Sequence, residues 1–146
     1  MLRISTRSRY AVRILICLGS HEGEKPVQRS VIQESEGISV DYAVQILTNL
    51  RRAGMVESIR GKEGGYVLAV SPEDITVLDI VNMIEGEVTL VDCEGEKCRR
   101  ISECAVKPVW DRAAKAASAE LGRVTLKDLV EESHRLKRQN SLMFEI

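Results

Sequence analysis

An apolar stripe of helical period that stops at a glycine, followed at once by two short β-prone runs joined through a glycine-rich loop, most restricts how this chain can fold. Ala43, Ile46, Leu47 and Leu50 recur at the spacing that lines one face of a helix reaching about Ala53. Ser39 stands where an N-cap accepts amide hydrogens, and Gly54 stands where the helix must end. Val56 to Arg60 and Tyr66 to Val70 then read as strands around Gly61-Lys62-Glu63-Gly64-Gly65. Two amphipathic segments precede them. Ser8 to Ser20 gathers Ala11, Ile14, Leu15 and Leu18 and is ended by Gly23 and Pro26; a shorter helix from Val27 to Ser35 is closed by Gly37. Three helices and a hairpin in this order predict a helix-turn-helix with a wing. Such a unit sets one helix into a DNA major groove and its hairpin against a phosphate or into the minor groove.

The 146 residues, 44% of them apolar, suffice for one modest domain or a compact domain with an extension, which argues against a multidomain enzyme. No apolar run approaches a membrane span, and Arg3, Arg7, Arg9 and Arg13 oppose a secretory signal, so a cytoplasmic protein without membrane contact is expected. The net charge of -1 says nothing about nucleic acid, but its distribution is uneven. Residues 1–70 hold 10 Lys+Arg against 7 Asp+Glu, and residues 71–146 hold 11 against 15. That bias is mild and does not by itself establish a nucleic-acid partner.

Thr76 is placed to cap a helix to about Ile84, with Val77, Ile80, Val81 and Ile84 on its apolar side and Gly86 after it. Asp92 to Cys104 is polar and reads as a loop. A longer helix is expected from about Ala105 to Leu121, interrupted by Gly122, before the capping signal Thr125-x-x-Asp128 and a final helix to about Arg138. The fold class is therefore mainly α with a small β-hairpin. The expected division is a winged helix-turn-helix over 1–72, a connecting helix and linker over 73–91, a cysteine loop over 92–104, and a helical dimerisation and terminal region over 105–146.

Cys93 and Cys98 have four residues between them, and Cys98 and Cys104 have five. Thiolates are soft ligands, so a loop of this kind can hold a metal or cluster; its residues alone leave structural thiols equally open. Cys17, inside Ile14-Leu15-Ile16-Cys17-Leu18, reads as a core thiol, and Trp110 as a packing anchor near Cys104. On the third helix, burial of the aliphatic stripe leaves Asp41, Val44, Gln45 and Thr48 facing outward.

Arg9-Tyr10-Ala11-Val12, Leu50-Arg51-Arg52-Ala53-Gly54-Met55-Val56, Arg60-Gly61-Lys62-Glu63-Gly64-Gly65-Tyr66 and the three later cysteines together resemble the IscR/NsrR-like family of bacterial transcription regulators. The resemblance covers nearly the whole chain. It implies a winged helix-turn-helix homodimer paired through a long C-terminal-side helix and bound to double-stranded operator DNA, and a repressor is the expected role. The residues expected at DNA are Gln28, Ser39, Asp41, Tyr42, Val44, Gln45, Thr48, Arg52, Arg60 and Lys62. Arg60 matches the arginine that such wings insert into a narrow minor groove. Asp41 and Val44 replace a serine and a glutamate used in IscR-like recognition, which implies a different operator sequence.

The resemblance further implies that Cys93, Cys98 and Cys104 hold an iron-sulfur cluster, [2Fe-2S] or [4Fe-4S], sensing cluster, iron, nitric oxide or redox status. Its fourth ligand is unknown, because Lys107 occupies the position of an IscR-like histidine and Arg9 that of an NsrR-like acidic residue. Water or a small thiol on an open iron, a cluster lacking one iron, and a ligand drawn from Asp92, Glu94, Glu96, Glu103, His134 or His21 are the alternatives. Within the same fold, a non-cluster thiol-redox or sulfur-metabolism regulator is the competing reading, with a reversible Cys98–Cys104 disulfide as its signature. A small iron metalloenzyme is disfavoured, since no acid-base pair can be placed beside the cysteines.

Overall fold

Six α-helices and one antiparallel hairpin form the described part of the molecule, a computed structural model that describes residues 4–91, 93 and 98–144. The helices are α1 (Thr6–Gly19), α2 (Arg29–Glu36), α3 (Val40–Arg52), α4 (Val77–Glu85), α5 (Lys107–Arg123) and α6 (Leu126–Phe144). Strands β1 (Val56–Ile59) and β2 (Gly65–Leu68) lie between α3 and α4, paired from Val56↔Leu68 to Ile59↔Gly65. The expected mainly α fold with a wing is what the structure contains.

The core is built by the stripes read from the sequence. Ala11, Ile14, Leu15 and Leu18 of α1 meet Ala43, Ile46, Leu47 and Leu50 of α3, with Ile32 of α2, Val56 of β1, Ile80 of α4 and Leu126 of α6 closing the same cluster. Local chemistry sets the helix ends. Ser5 Oγ accepts from the Ser8 amide to start α1, Ser39 Oγ accepts from Tyr42 to start α3, and Gly37 ends α2 in the left-handed conformation. Thr76 with Asp79 forms a reciprocal capping box on α4, and Thr125 with Asp128 repeats it where α6 begins.

Several boundaries differ from expectation, two of them through a contact remote in sequence. The helix expected from Val27 begins at Arg29, because Val27 exchanges two main-chain hydrogen bonds of 2.9 Å with Tyr66 and so extends the wing. Gly122 does not interrupt α5. A Cβ there would meet Leu78 of α4 at 3.5 Å, an ordinary contact, and the helix ends where the Val124 carbonyl accepts from Val77. The last helix continues past Arg138 to Phe144, since residues 126–144 contain neither glycine nor proline. It folds back along α1, where Val130 sits against Gly19.

Polar contacts tie α4 to the start of α1. The Ser5 amide and the hydroxyl of the fully buried Ser8 both donate to Glu85 Oε1 at the C-terminal end of α4. These bonds from Ser5 and Ser8 hold the Glu85 carboxyl below its ordinary range.

Candidate nucleic-acid interface and cysteine loop

Helix α3 turns its aliphatic stripe inward, which leaves Asp41, Gln45 and Arg52 exposed and Val44 and Thr48 half-buried along the opposite side. Spacings of three, four and seven residues align these side chains in a row that can face a groove. Three of the predicted positions here are already engaged. Thr48 Oγ1 donates to the Val44 carbonyl at 2.7 Å, leaving its lone pairs and methyl group for a partner. The Tyr42 ring packs edge-on against Tyr10, centroids 6.0 Å apart, and the Arg13 guanidinium lies 5.2 Å from the Tyr10 ring centre. Ser39 uses its hydroxyl as the α3 cap.

The wing lies beside α2. Arg60 and Lys62 occupy the turn between β1 and β2, and a cleft of about 600 Å³ separates that turn from Gln28 and Arg29. Gln28 Nε2 reaches the Lys62 carbonyl at 3.5 Å, and Gln28 as N-cap makes no side-chain bond to α2's first turn. The helix start therefore presents amide donors beside Arg29, a combination suited to a phosphate. Arg29 and Arg51 were missed by the sequence reading. Arg29 becomes relevant only once α2 starts there, and Arg51 donates to Ser58 Oγ at 3.1 Å, linking α3 to β1.

The wing's position rests on close backbone contact. A Cβ on Gly65 would come within 2.4 Å of the Val27 carbonyl oxygen, and one on Gly64 within 2.1 Å of the Ile59 oxygen. Only glycine admits the two Val27–Tyr66 bonds that dock the hairpin on the α1–α2 connection.

Cys93, Cys98 and Cys104 lie between α4 and α5 as free, half-buried thiols. Cys93 and Trp110 share a cleft of about 250 Å³ with Lys107 and Asp111. Three thiols suit a soft metal centre in kind. Among the described residues, however, no three Cys, His, Asp or Glu side chains stand close enough to hold a metal ion, so the loop keeps its donors apart in this conformation. Asp92, Glu94 and Glu96 lie outside the described residues, and Glu103 is exposed. Lys107 pairs with Asp111 at 2.7 Å, and Arg9 donates to Thr6 Oγ1. His21 Nδ1 bonds the Cys17 carbonyl at 2.8 Å, and His134 lies on α6. Cys17 is buried, and that burial pushes its thiol pKa up, as expected of a core residue. Trp110, expected to anchor packing, is 38% exposed within the protomer, on a helix none of whose residues is buried.

Comparison with known proteins agrees with this geometry. The family model "Rrf2: Iron-dependent Transcriptional regulator" matches residues 4–132. The chain is 38% identical over 134 residues to protein rrf2 of Nitratidesulfovibrio vulgaris, covering 90% of this chain and 89% of that one. Its structure is similar to that of CymR, the global cysteine regulator of B. subtilis, with a TM-score of 0.78, 37% identity, and coverage of 90% and 98%. It is also similar to T. potens IscR, with a TM-score of 0.74, 35% identity, and coverage of 90% and 88%. Among the described residues, no helix is long and apolar enough to cross a membrane.

Proposed function

The chain belongs to the Rrf2 family of DNA-binding transcriptional regulators, which are not enzymes, and from that premise we propose that it acts as a homodimeric repressor in the cytoplasm. The observation that carries this reading is the docked wing, which holds Arg60 and Lys62 beside Gln28 and the start of α2. In the proposed complex Asp41, Val44, Gln45, Thr48 and Arg52 face the major groove, Arg60 enters the minor groove, and Gln28, Ser39, Tyr42 and Lys62 contact the phosphate backbone. Residues 1–72 form the reader, 73–91 the connection, 92–104 the sensor loop and 105–146 the helical pairing region.

Cys93, Cys98 and Cys104 would hold an iron-sulfur cluster, supported by the family description and the soft donor set. When bound, such a group supplies a coordination and charge state that responds to iron and redox conditions. The chain's own part is to gather three thiols on the loop that leads into α5, so that their occupancy can bear on the helix that follows. Lys107, already paired with Asp111, is not a fourth ligand.

A second reading has its own support. The likeness to CymR, the global cysteine regulator of B. subtilis, favours a sensor of sulfur or thiol status that works without a cluster. One experiment distinguishes them: anaerobic reconstitution with iron and sulfide, followed by metal and sulfide analysis and operator affinity of the loaded and unloaded dimer. Stoichiometric iron and sulfide with a changed affinity support the cluster sensor. Absence of both elements, with a reversible Cys98–Cys104 disulfide that alters binding, supports the thiol reading.

A further inference from the structure

Glu63 places a carboxylate in the wing turn next to Lys62 and three residues from Arg60, in the part of the molecule assigned to DNA. It is the one acidic residue between Arg60 and Gly64. A bare negative charge there opposes the phosphates, and a narrow minor groove strengthens that opposition. In the structure the charge is not bare. Lys25, from the connection between α1 and α2, brings Nζ to 3.1 Å from Glu63 Oε1.

Folding gives this pair little to do. The two side chains are 78% and 75% exposed, and an exposed ion pair adds almost nothing to stability. The wing is independently fastened by the two Val27–Tyr66 main-chain bonds and by close backbone packing at Gly65. What the pair does change is the electrostatic face of the wing. With Glu63 neutralised, Arg60 and Lys62 define the charge that reaches DNA; with Lys25 gone, half of that charge is cancelled.

We propose that Lys25 is a positioning residue for operator binding, acting through Glu63: its ammonium masks the one carboxylate of the wing turn and so sets the affinity contributed by Arg60 and Lys62. The proposal rests on the reading of the wing as a DNA contact. It assigns Lys25 no phosphate of its own, which is what makes it testable.

The test uses the full-length protein and a duplex operator recovered by wild-type selection from a random library. Affinity is measured across a salt series for wild type, Lys25→Gln, Glu63→Gln and the double variant, with circular dichroism confirming an unchanged fold. Lys25→Gln is expected to weaken binding about tenfold, and Glu63→Gln to tighten it about threefold. The double variant should return to within about threefold of wild type, with an unchanged dependence of log affinity on log salt. Weaker binding by Glu63→Gln would show that the pair merely fastens the wing and would overturn the proposal. So would a double variant as weak as Lys25→Gln with a salt slope shallower by about one, because Lys25 would then be a direct phosphate contact. Wild-type protein that selects no duplex would sink the DNA reading itself, and the proposal with it.

Discussion

Helices α3 and α5 are built on opposite terms. The 13 residues of α3 include four that are completely buried, Ala43, Ile46, Leu47 and Leu50. The 17 residues of α5 include none, and Val109 and Trp110, with Val106 just before the helix, remain 38–44% exposed. Helix α3 is held by the core of its own chain. Helix α5 is sustained by an alanine-rich sequence of high helix propensity and by contact with α4, and its remaining apolar side calls for a second surface. The proposed homodimer supplies that surface. A fixed reader joined to an incompletely buried helix is the arrangement a switch needs, because only the second element can shift without unfolding the first.

The largest expected effect tests α3. Leu47→Ala should lower stability by about 2–5 kcal/mol, at every protein concentration, in chemical denaturation. Equal loss from Ala116→Gly on α5 would break the contrast, since that change should cost only about 1 kcal/mol. Arg60→Ala should leave the melting temperature unchanged while weakening operator binding by about 1–3 kcal/mol, read by titration across salt concentrations. Comparable binding by wild type and variant would remove the wing from the interface. Val109→Glu should leave a folded protomer but raise the dimer dissociation constant about tenfold or more in sedimentation equilibrium, or about 1.4 kcal/mol. An unaffected dimer would place the pairing surface elsewhere.

Smaller effects sharpen the comparison at the joints. Thr125→Ala, which removes the α6 cap, should cost about 1 kcal/mol in denaturation. Glu85 supplies a pH test. Its pKa is lowered in the folded state, so its contribution is present above the ordinary glutamate pKa and is lost as pH falls through the folded value. Wild type should therefore lose more thermal stability than Glu85→Gln on acidification below about pH 5. Parallel curves would mean that the contacts from Ser5 and Ser8 do not couple α1 to α4.

What was legible in the sequence divides along the same line. The period of Ala43, Ile46, Leu47 and Leu50, the Ser39 cap and the Gly54 stop are local signals, and α3 follows them closely. The start of α2 was hidden because Val27 takes its hydrogen bonds from Tyr66, across the whole of α3 and β1. Gly122 does not stop α5 because the helix is ended instead by the Val124 carbonyl accepting from Val77, a contact remote in sequence. At the candidate interface, residue type and face were readable, but the bonding of Thr48 to Val44 and the edge-on contact of Tyr42 with Tyr10 depend on rotamers that spacing does not specify. The cysteine loop shows the same divide: three soft donors are evident from composition, while their separation is a property of the folded chain.

The glycines beneath the wing also bear on how this regulator can diversify. Any replacement at Gly65 adds an atom that collides with the Val27 carbonyl, and any at Gly64 one that collides with Ile59. A library of random substitutions screened for folded protein should therefore leave these two sites almost blank while the exposed Asp41, Gln45 and Arg52 accept exchange. New operator preferences are then reached by rewriting the outward row of α3 on an unchanging hinge-free frame, and the distance between groove contacts is inherited intact.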